Sequence, residues 1–202
     1  MSRDRLIAGG LFALGLAALG GFALSQTATA QDATDGPGPN LVIEVAGSTT
    51  GTITIDMAPD LAPAHVAQIT ALAQEGAYDG VVFHRVIEGF MAQTGDVEFG
   101  RNGGDLAQAG MGGSTKPDLA AEFSAATFDR GVVGMARSMD PNSANSQFFI
   151  MFAPAPHLDG QYTVVGRVIA GMEVVDAIKK GDPDANGAVD APDYMAKVTV
   201  AP

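Results

Sequence analysis

The feature that most constrains the fold of this chain is the stretch of residues 83–96, with the sequence FHRVIEGFMAQTGD. It predicts two short strands, 82–87 and 90–94, joined by a tight turn, because hydrophobic residues flank Gly89, which can adopt φ > 0. Such a hairpin places Arg85 beside an apolar surface that includes Phe and Met side chains. An arginine in that setting suits a site that holds an apolar group and offers it one strong hydrogen-bond donor.

The remaining sequence predicts a mainly β architecture. Further strands are expected at residues 41–45, 51–57, 122–123, 131–136, 147–152, 163–169 and 197–200, and helices at residues 59–76 and 172–180. Many short strands with few helices favour an antiparallel sheet, and a closed barrel would leave no strand edge exposed. Residues 97–118 are glycine-rich and lack apolar periodicity. A loop of that length in a compact domain is usually functional or mobile.

Charge and composition exclude several classes of function. With 11 Lys and Arg against 23 Asp and Glu, the chain carries a formal net charge of -12, which repels nucleic acids and anionic lipid surfaces. Cysteine is absent, so thiolate catalysis and cysteine-ligated zinc are excluded. At 202 residues the chain is long enough for one domain with a sizeable core.

The first thirty residues have the pattern of a secretory signal peptide. A basic opening precedes an uncharged apolar run at residues 6–24, and Ala28-Thr29-Ala30 supplies the small residues of a cleavage site. We therefore expect cleavage after Ala30 and a periplasmic or secreted protein, with an uncleaved membrane anchor as the alternative. Residues 31–40 are polar and rich in Gly and Pro, which predicts a flexible linker before a domain at 41–202.

Over residues 41–200 the chain resembles the cyclophilin family of peptidyl-prolyl cis-trans isomerases. The resemblance rests on three motifs in the order and spacing of that family: the stretch at 83–96, SQFFI at 146–150 and LDG at 158–160. It implies a closed eight-stranded antiparallel β-barrel capped by two α-helices, which agrees with the elements predicted above. It also implies an enzyme that needs no cofactor and no metal.

The same resemblance implies which residues form the site. By motif position, Arg85 is similar to the catalytic arginine of the family. The residues similar to the walls of its proline pocket are Phe90, Met91, Phe149 and Leu158. The other positions implied for substrate binding are Gln93, Ala136, Arg137, Gln147, His157 and Tyr162. The two glutamines would steady the arginine and the substrate backbone.

The chain departs from the family pattern at the rim of this site. His157 stands where tryptophan is common, Tyr162 where histidine is common, and Arg137 where asparagine is common, while Asp140 looks like a one-residue insertion. These departures predict weakened binding of the macrocyclic inhibitor cyclosporin more than a loss of isomerase activity.

The sequence thus predicts an exported, monomeric isomerase that acts on Xaa-Pro bonds of unfolded or partly folded proteins. The alternative is a chaperone or scaffold module that binds proline-containing segments without significant turnover. On spacing alone, Arg85 could instead pair with a surface carboxylate such as Glu122. His84 should face away from the site, since neighbouring strand residues point to opposite faces.

A second site is conceivable at residues 182–193, which follow the calcium-loop pattern of oxygen ligands with glycine at the sixth place. However, Asp193 is shorter than the usual bidentate Glu, and Pro192 precedes it. A solvated acidic loop is the favoured interpretation.

Overall fold

Within residues 34–202, which the computed structural model describes, the chain forms nine β-strands and two α-helices. The strands are β1 (Asn40–Ala46), β2 (Gly51–Met57), β3 (Val81–Val82), β4 (Arg85–Ile87), β5 (Met91–Thr94), β6 (Val132–Met135), β7 (Phe148–Met151), β8 (Val164–Ala170) and β9 (Tyr194–Ala201). The helices are α1 (Pro63–Gln74) and α2 (Met172–Ala177), and single 3-10 turns lie at Pro156–Leu158 and Pro183–Ala185. The predicted signal peptide lies outside the described residues.

The strands form one antiparallel sheet in the order β3-β9-β1-β2-β8-β6-β7-β5-β4, so the predicted mainly β, antiparallel fold with two helices is confirmed. The end strands β3 and β4 are separated in sequence only by Phe83 and His84, and the sheet must therefore curl until its two ends adjoin. The backbone ladder stays open at this point, because Phe83 N–H donates to Asp193 O at 2.9 Å and His84 O accepts from Val189 N–H at 3.2 Å. If β3 and β4 are counted as one interrupted strand, the sheet has eight strands, and it differs from a closed eight-stranded barrel only at this interruption.

The main core lies between the curled sheet and the helices, with α1 packed against β9 and α2 against β2. In β2 the predicted alternation holds, since Ile53, Ile55 and Met57 are buried while the residues between them are not. A second, smaller apolar cluster lies on the other side of the sheet. Its buried members are Met91, Phe128, Val132, Phe149, Met151, Ala155, Leu158 and Val164. This second cluster supports the site described below.

Helix α1 begins at Pro63, four residues later than the predicted start at residue 59. The preceding residues form a turn in which Leu61 and Ala62 N–H donate to Ala58 O, and proline is favoured at the first helical position because its missing N–H is not needed there. The helix ends at Gln74, two residues before the predicted end, and Gly76 follows the C-cap residue Glu75 with a φ of +70°. A left-handed glycine of this kind lets the last carbonyls of the helix find donors.

The strand predicted at residues 122–123 is wrong. Glu122 lies in an extended loop, and its carboxylate accepts hydrogen bonds from the backbone N–H groups of Ala64 and His65 at 3.1 Å each, at the start of α1. The ring of His65 adds a third contact at 2.6 Å. Burial would raise the pKa of Glu122, but these hydrogen bonds outweigh it and lower the pKa. Glu122 therefore caps α1 from a distant part of the sequence.

The segment predicted as a linker makes contacts with the domain where the structure describes it. Asn40 is already the first residue of β1, and Gly36 N–H donates to Asp56 Oδ2 at 2.9 Å. Among residues 34–202, no helix is long and apolar enough to span a membrane.

Candidate active site

The hairpin of β4 and β5 carries the central residues of the site. Arg85 pairs with Gln93 across the two strands, and Ile87 pairs with Met91. The turn between them contains Gly89 at φ +71°, a conformation that favours glycine. Because paired residues on adjacent strands share a face of the sheet, the hairpin brings the arginine and the glutamine together, as the sequence predicts.

Two neighbours hold the guanidinium of Arg85 in place. Its Nη1 donates to Gln93 Oε1 at 3.3 Å, its Nε donates to the backbone oxygen of Asn186 at 3.0 Å, and its Nη2 donates to Asn186 Oδ1 at 3.0 Å. All of these acceptors are neutral. Glu122 instead contacts His65, and none of the ion pairs found within residues 34–202 includes Arg85. The positive charge of Arg85 is therefore fixed in direction without being neutralised by a carboxylate.

The charge states at this hairpin follow from burial. Partial burial lowers the pKa of Arg85, but an arginine pKa starts so far above neutrality that the side chain remains protonated. The neighbouring His84 is 8% exposed, and its burial lowers its pKa to about 4. The imidazole is therefore neutral at pH 7, and it lies in the interior rather than beside Arg85 in the site.

A relay of amide hydrogen bonds connects Arg85 with the glycine-rich loop. Gln93 Nε2 donates to Gln147 Oε1 at 2.9 Å, and Gln147 Nε2 donates to the backbone oxygens of Gly110 at 3.0 Å and Gly112 at 2.8 Å. The loop of residues 97–118 thus acts on the site by fixing the orientation of two side-chain amides.

Beside Arg85 lies a hollow of about 210 Å³, here called the first hollow. Its lining comprises Arg85, Phe90, Met91, Gln93, Ala136, Arg137, Phe149, Leu158 and Tyr162. Met91, Phe149 and Leu158 are nearly buried and form an apolar floor that continues into the second core cluster. Phe149 stacks on Phe128 at 5.8 Å between ring centroids and meets the Tyr162 ring edge-on at 5.9 Å. The floor is therefore firmly packed from below.

A second hollow of about 330 Å³ adjoins the first. It is lined by Gln93, Gly110, Met111, Gly112, Ala136, Arg137, Ser138, Ser143, Asn145, Ser146 and Gln147. The two hollows share Gln93, Ala136 and Arg137. The two hollows are therefore adjacent and are together called the cleft; the first has an apolar floor, and the second is lined by several Ser, Asn and Gln side chains.

Nine of the eleven residues singled out in the sequence line the first hollow. Of the other two, Gln147 lines the second hollow, and the exposed His157 stacks on Phe90 with the ring centroids 5.8 Å apart. The sequence reasoning missed Asn186, which contacts Arg85. The Asn186-Gly187 pair marks a turn in the sequence, but nothing local connects that turn with a residue 101 positions away.

Asp193, the last ligand of the calcium loop considered for residues 182–193, is turned to protein donors. Asp193 is fully buried, and its carboxylate accepts from Ser48 Oγ at 2.8 Å, from Thr49 N–H at 3.0 Å and from Lys179 N–H at 2.9 Å. Its oxygens are therefore occupied by protein donors. In the part of the chain that the structure describes, no group of three or more His, Asp or Glu side chains could hold a metal ion.

Comparison with known proteins decides the family. Residues 41–200 match the model of the family described as cyclophilin type peptidyl-prolyl cis-trans isomerase/CLD. The chain belongs to the cyclophilin family. A probable peptidyl-prolyl cis-trans isomerase of Brucella suis biovar 1 (strain 1330) is 62% identical over 152 residues, which are 74% of this chain and 78% of that protein. The chain is thus a peptidyl-prolyl cis-trans isomerase of the cyclophilin type, as the sequence predicts.

Solved structures agree on the fold. A cyclophilin from Hirschia baltica aligns with a TM-score of 0.67 at 25% identity, covering 83% of this chain and 75% of that one. A cyclophilin-type isomerase from Cryptosporidium parvum, crystallised in the presence of the dipeptide Ala-Pro, also gives a TM-score of 0.67, at 24% identity over 81% of this chain and 99% of that one. The curled sheet and its two helices therefore form a cyclophilin fold.

Proposed function

We propose that this cyclophilin acts on Xaa-Pro bonds of polypeptides that lie along the cleft, with the proline in the first hollow and Arg85 as the catalytic residue. The observation that supports this role is the position of the guanidinium. It is charged, held by neutral acceptors on two sides, and placed at the edge of an apolar floor.

The chemistry requires no bond to be broken. Rotation about a peptide bond costs about 18–20 kcal/mol because the C–N bond has partial double-bond character, and for Xaa-Pro bonds it takes tens to hundreds of seconds. In the twisted state this resonance is lost, and the prolyl nitrogen regains a lone pair. A donor aimed at that nitrogen binds the twisted amide better than the planar one, which lowers the barrier.

Arg85 has a donor to spare for this purpose. A guanidinium carries five N–H groups, and three of them are used by Gln93 and by the two acceptors of Asn186. The second N–H of Nη1 donates weakly to Met91 Sδ at 3.9 Å, a wall of the first hollow, and one N–H of Nη2 remains. The unoccupied edge of the guanidinium therefore borders the space that the proline would occupy.

One hydrogen bond does not supply the whole effect. An acceleration of ~10⁵ would need about 7 kcal/mol, whereas a hydrogen bond to a charged group contributes about 1.5–3 kcal/mol. The floor of Met91, Phe149 and Leu158 supplies a further contribution, because it removes water from the more polar planar amide. Gln147 and the walls of the second hollow hold the neighbouring backbone, so that the bond itself must take up the twist.

The N-terminal pattern supports an extracytoplasmic site of action. A basic opening, an apolar run and a small-residue cleavage site are the features of exported chains, so the substrates would be unfolded or partly folded exported proteins. N-terminal sequencing of the protein recovered from the periplasm should begin at Gln31. Recovery of the intact chain in the membrane fraction would instead establish the anchor.

The proposal also covers oligomeric state and inhibition. We expect a monomer, which light scattering would test, and weakened inhibition by cyclosporin. The reason for the latter is that His157 offers less apolar surface than the tryptophan common at that rim, and that Arg137 is packed on Tyr162. Nanomolar inhibition by cyclosporin would contradict this expectation.

A protease-coupled assay on a prolyl tetrapeptide separates the enzyme from a binding module. We expect the rate constant of cis-to-trans relaxation to rise in proportion to protein concentration. If calorimetry detects binding of the peptide but the protein does not accelerate its relaxation, the protein is a proline-segment-binding chaperone or scaffold, and the catalytic proposal is wrong.

A further inference from the structure

A second arginine lies at the junction of the two hollows. Arg137 lines both of them, and its guanidinium carbon lies 4.3 Å above the centre of the Tyr162 ring. Its Nη1 donates to Ser138 O at 2.9 Å and its Nη2 donates to Gln161 O at 3.0 Å. The side chain is therefore held in one orientation by the ring and by two backbone carbonyls.

These contacts fix Arg137 without cancelling its charge. Both acceptors are neutral, and none of the ion pairs found within residues 34–202 includes this arginine. Asp140, the acidic residue closest to it in sequence, accepts a hydrogen bond from Asn142 N–H at 2.9 Å. The arginine thus keeps a full positive charge on the wall of the cleft.

The charge of the cleft is opposite to that of the molecule. The chain has a formal net charge of -12, yet the charged residues that line the two hollows are Arg85 and Arg137, and no Asp or Glu is among the described residues that line them. At physiological ionic strength charges are screened over about 8 Å. The carboxylates of Asp96 and Asp118, which reach residues of the lining, accept from Gly110 N–H, Gly112 N–H and Asn145 Nδ2. A group bound in the cleft therefore meets two arginine charges and no carboxylate on the lining itself.

We propose that Arg137 makes substrate selection charge-dependent, favouring Xaa-Pro segments that carry Asp or Glu within three residues of the proline on the side that enters the second hollow. This inference rests on the proposed function, because it assumes that the proline occupies the first hollow. An extended chain advances about 3.3 Å per residue, and the two hollows share walls, so the first few residues beyond the proline must pass Arg137. A carboxylate there gains an ion pair, whereas an ammonium group is repelled.

The test uses peptides that differ only in charge. Glu, Gln or Lys is placed singly at each of three positions before and after the proline, and kcat/KM is measured for each peptide by a protease-free NMR exchange assay at 0.15 M salt. For a partly exposed ion pair we expect the kcat/KM of the Glu peptide to exceed that of the Gln peptide by roughly twofold to fivefold at one or more positions on one side of the proline. The kcat/KM of the Lys peptide should be lower than that of the Gln peptide at the same positions.

Two variants and a control assign the selectivity to Arg137. In Arg137→Gln the ratio of Glu to Gln peptides should fall to about one, and in Arg137→Lys, which keeps the charge, it should persist. Arg130→Gln removes the same charge from a surface arginine that pairs with Asp176 at 2.6 Å, and it should leave the ratio unchanged. Because both peptides are measured with the same variant, the ratio of their kcat/KM values reports charge selectivity even if the substitution changes the absolute rate.

The outcomes are distinct. Equal kcat/KM for Glu and Gln peptides in the wild type, with both turned over, would overturn the charge selectivity and leave the isomerase proposal intact. A ratio that survives in Arg137→Gln would show that another group selects the charge. Absence of turnover with every peptide would overturn the proposed function and this inference together.

Discussion

At the scale of single residues, the feature that defines this site is an arginine whose direction is fixed by partners of different origin. Gln93 contacts Arg85 across a hairpin that is local in sequence. Asn186 contacts it from a distant loop and uses both its backbone oxygen and its side-chain oxygen. Asn186 has a φ of +55°, a left-handed conformation that asparagine tolerates better than most residues.

Replacing Asn186 by glycine tests how much this support matters. Asn186→Gly keeps the left-handed backbone and its carbonyl acceptor but removes the Oδ1 atom that Arg85 Nη2 contacts. Because this hydrogen bond positions Arg85 and does not touch the substrate, and the backbone contact of Asn186 remains, its loss should lower kcat only roughly threefold to tenfold, with little change in KM. Steady-state kinetics on a prolyl peptide would measure this effect.

The matched control is Asp184→Gly, an exposed residue of the same loop that does not contact Arg85. It should retain the wild-type kcat. If both variants behave alike, the side chain of Asn186 does not position the arginine.

At the scale of elements, the loop of residues 97–118 is ordered around one carboxylate. Asp96 is fully buried, and it accepts four backbone N–H groups, those of Glu98, Phe99, Gly110 and Gly112, at 2.7–3.1 Å. A Cβ atom at Gly112 would lie 2.6 Å from Asp96 Oδ1, so only glycine fits there. Because Gly110 and Gly112 also accept from Gln147, the loop connects Asp96 with the cleft.

Asp96→Asn should weaken both the fold and the activity. In the wild type both carboxylate oxygens accept backbone N–H groups, but in the variant one of them is replaced by an NH₂ group that cannot accept. The backbone donors facing it lose their acceptors, which should lower the unfolding free energy by roughly 3 kcal/mol. The loss of loop order should also lower kcat/KM, since Gln147 loses its fixed acceptors. Urea unfolding and the peptide assay would measure the two effects.

Asp105→Asn provides the comparison within the same loop, since this exposed carboxylate accepts only the N–H of Ala107. We expect its unfolding free energy to stay within about 0.5 kcal/mol of wild type. Equal stability of the Asp96 and Asp105 variants would mean that Asp96 does not organise the loop.

The elements that the sequence predicts well are those specified by local signals. The hairpin around Gly89 and the alternation in β2 depend on neighbouring residues, and both are present. The strand expected at residues 122–123 was predicted wrongly, because Glu122 accepts from the N–H groups at the start of a helix 57 to 58 residues away. Such a long-range cap leaves no periodic pattern in the sequence.

At the scale of the whole molecule, the curled sheet assembles the cleft from segments that are far apart in the chain. The hairpin supplies Arg85 and Gln93, β7 supplies Phe149, and the 3-10 turn at Pro156–Leu158 supplies Leu158. The family motifs located these segments, so most of the lining could be named from the sequence. Asn186 lies outside those motifs, and the carbonyl of Gln161 that accepts from Arg137 comes beside it only because β6 and β8 are neighbours in the sheet.

The most direct test of the account is the kcat/KM of Arg85→Ala on a prolyl tetrapeptide, measured beside wild type and the exposed surface control Arg167→Ala. Losing the donor to the prolyl nitrogen should lower kcat/KM roughly 10- to 150-fold, while the unfolding free energy stays within about 1 kcal/mol of wild type. Arg167→Ala should retain the wild-type rate. An Arg85→Ala variant that is folded and isomerises the peptide as fast as wild type would contradict the central claim that this guanidinium stabilises the twisted amide.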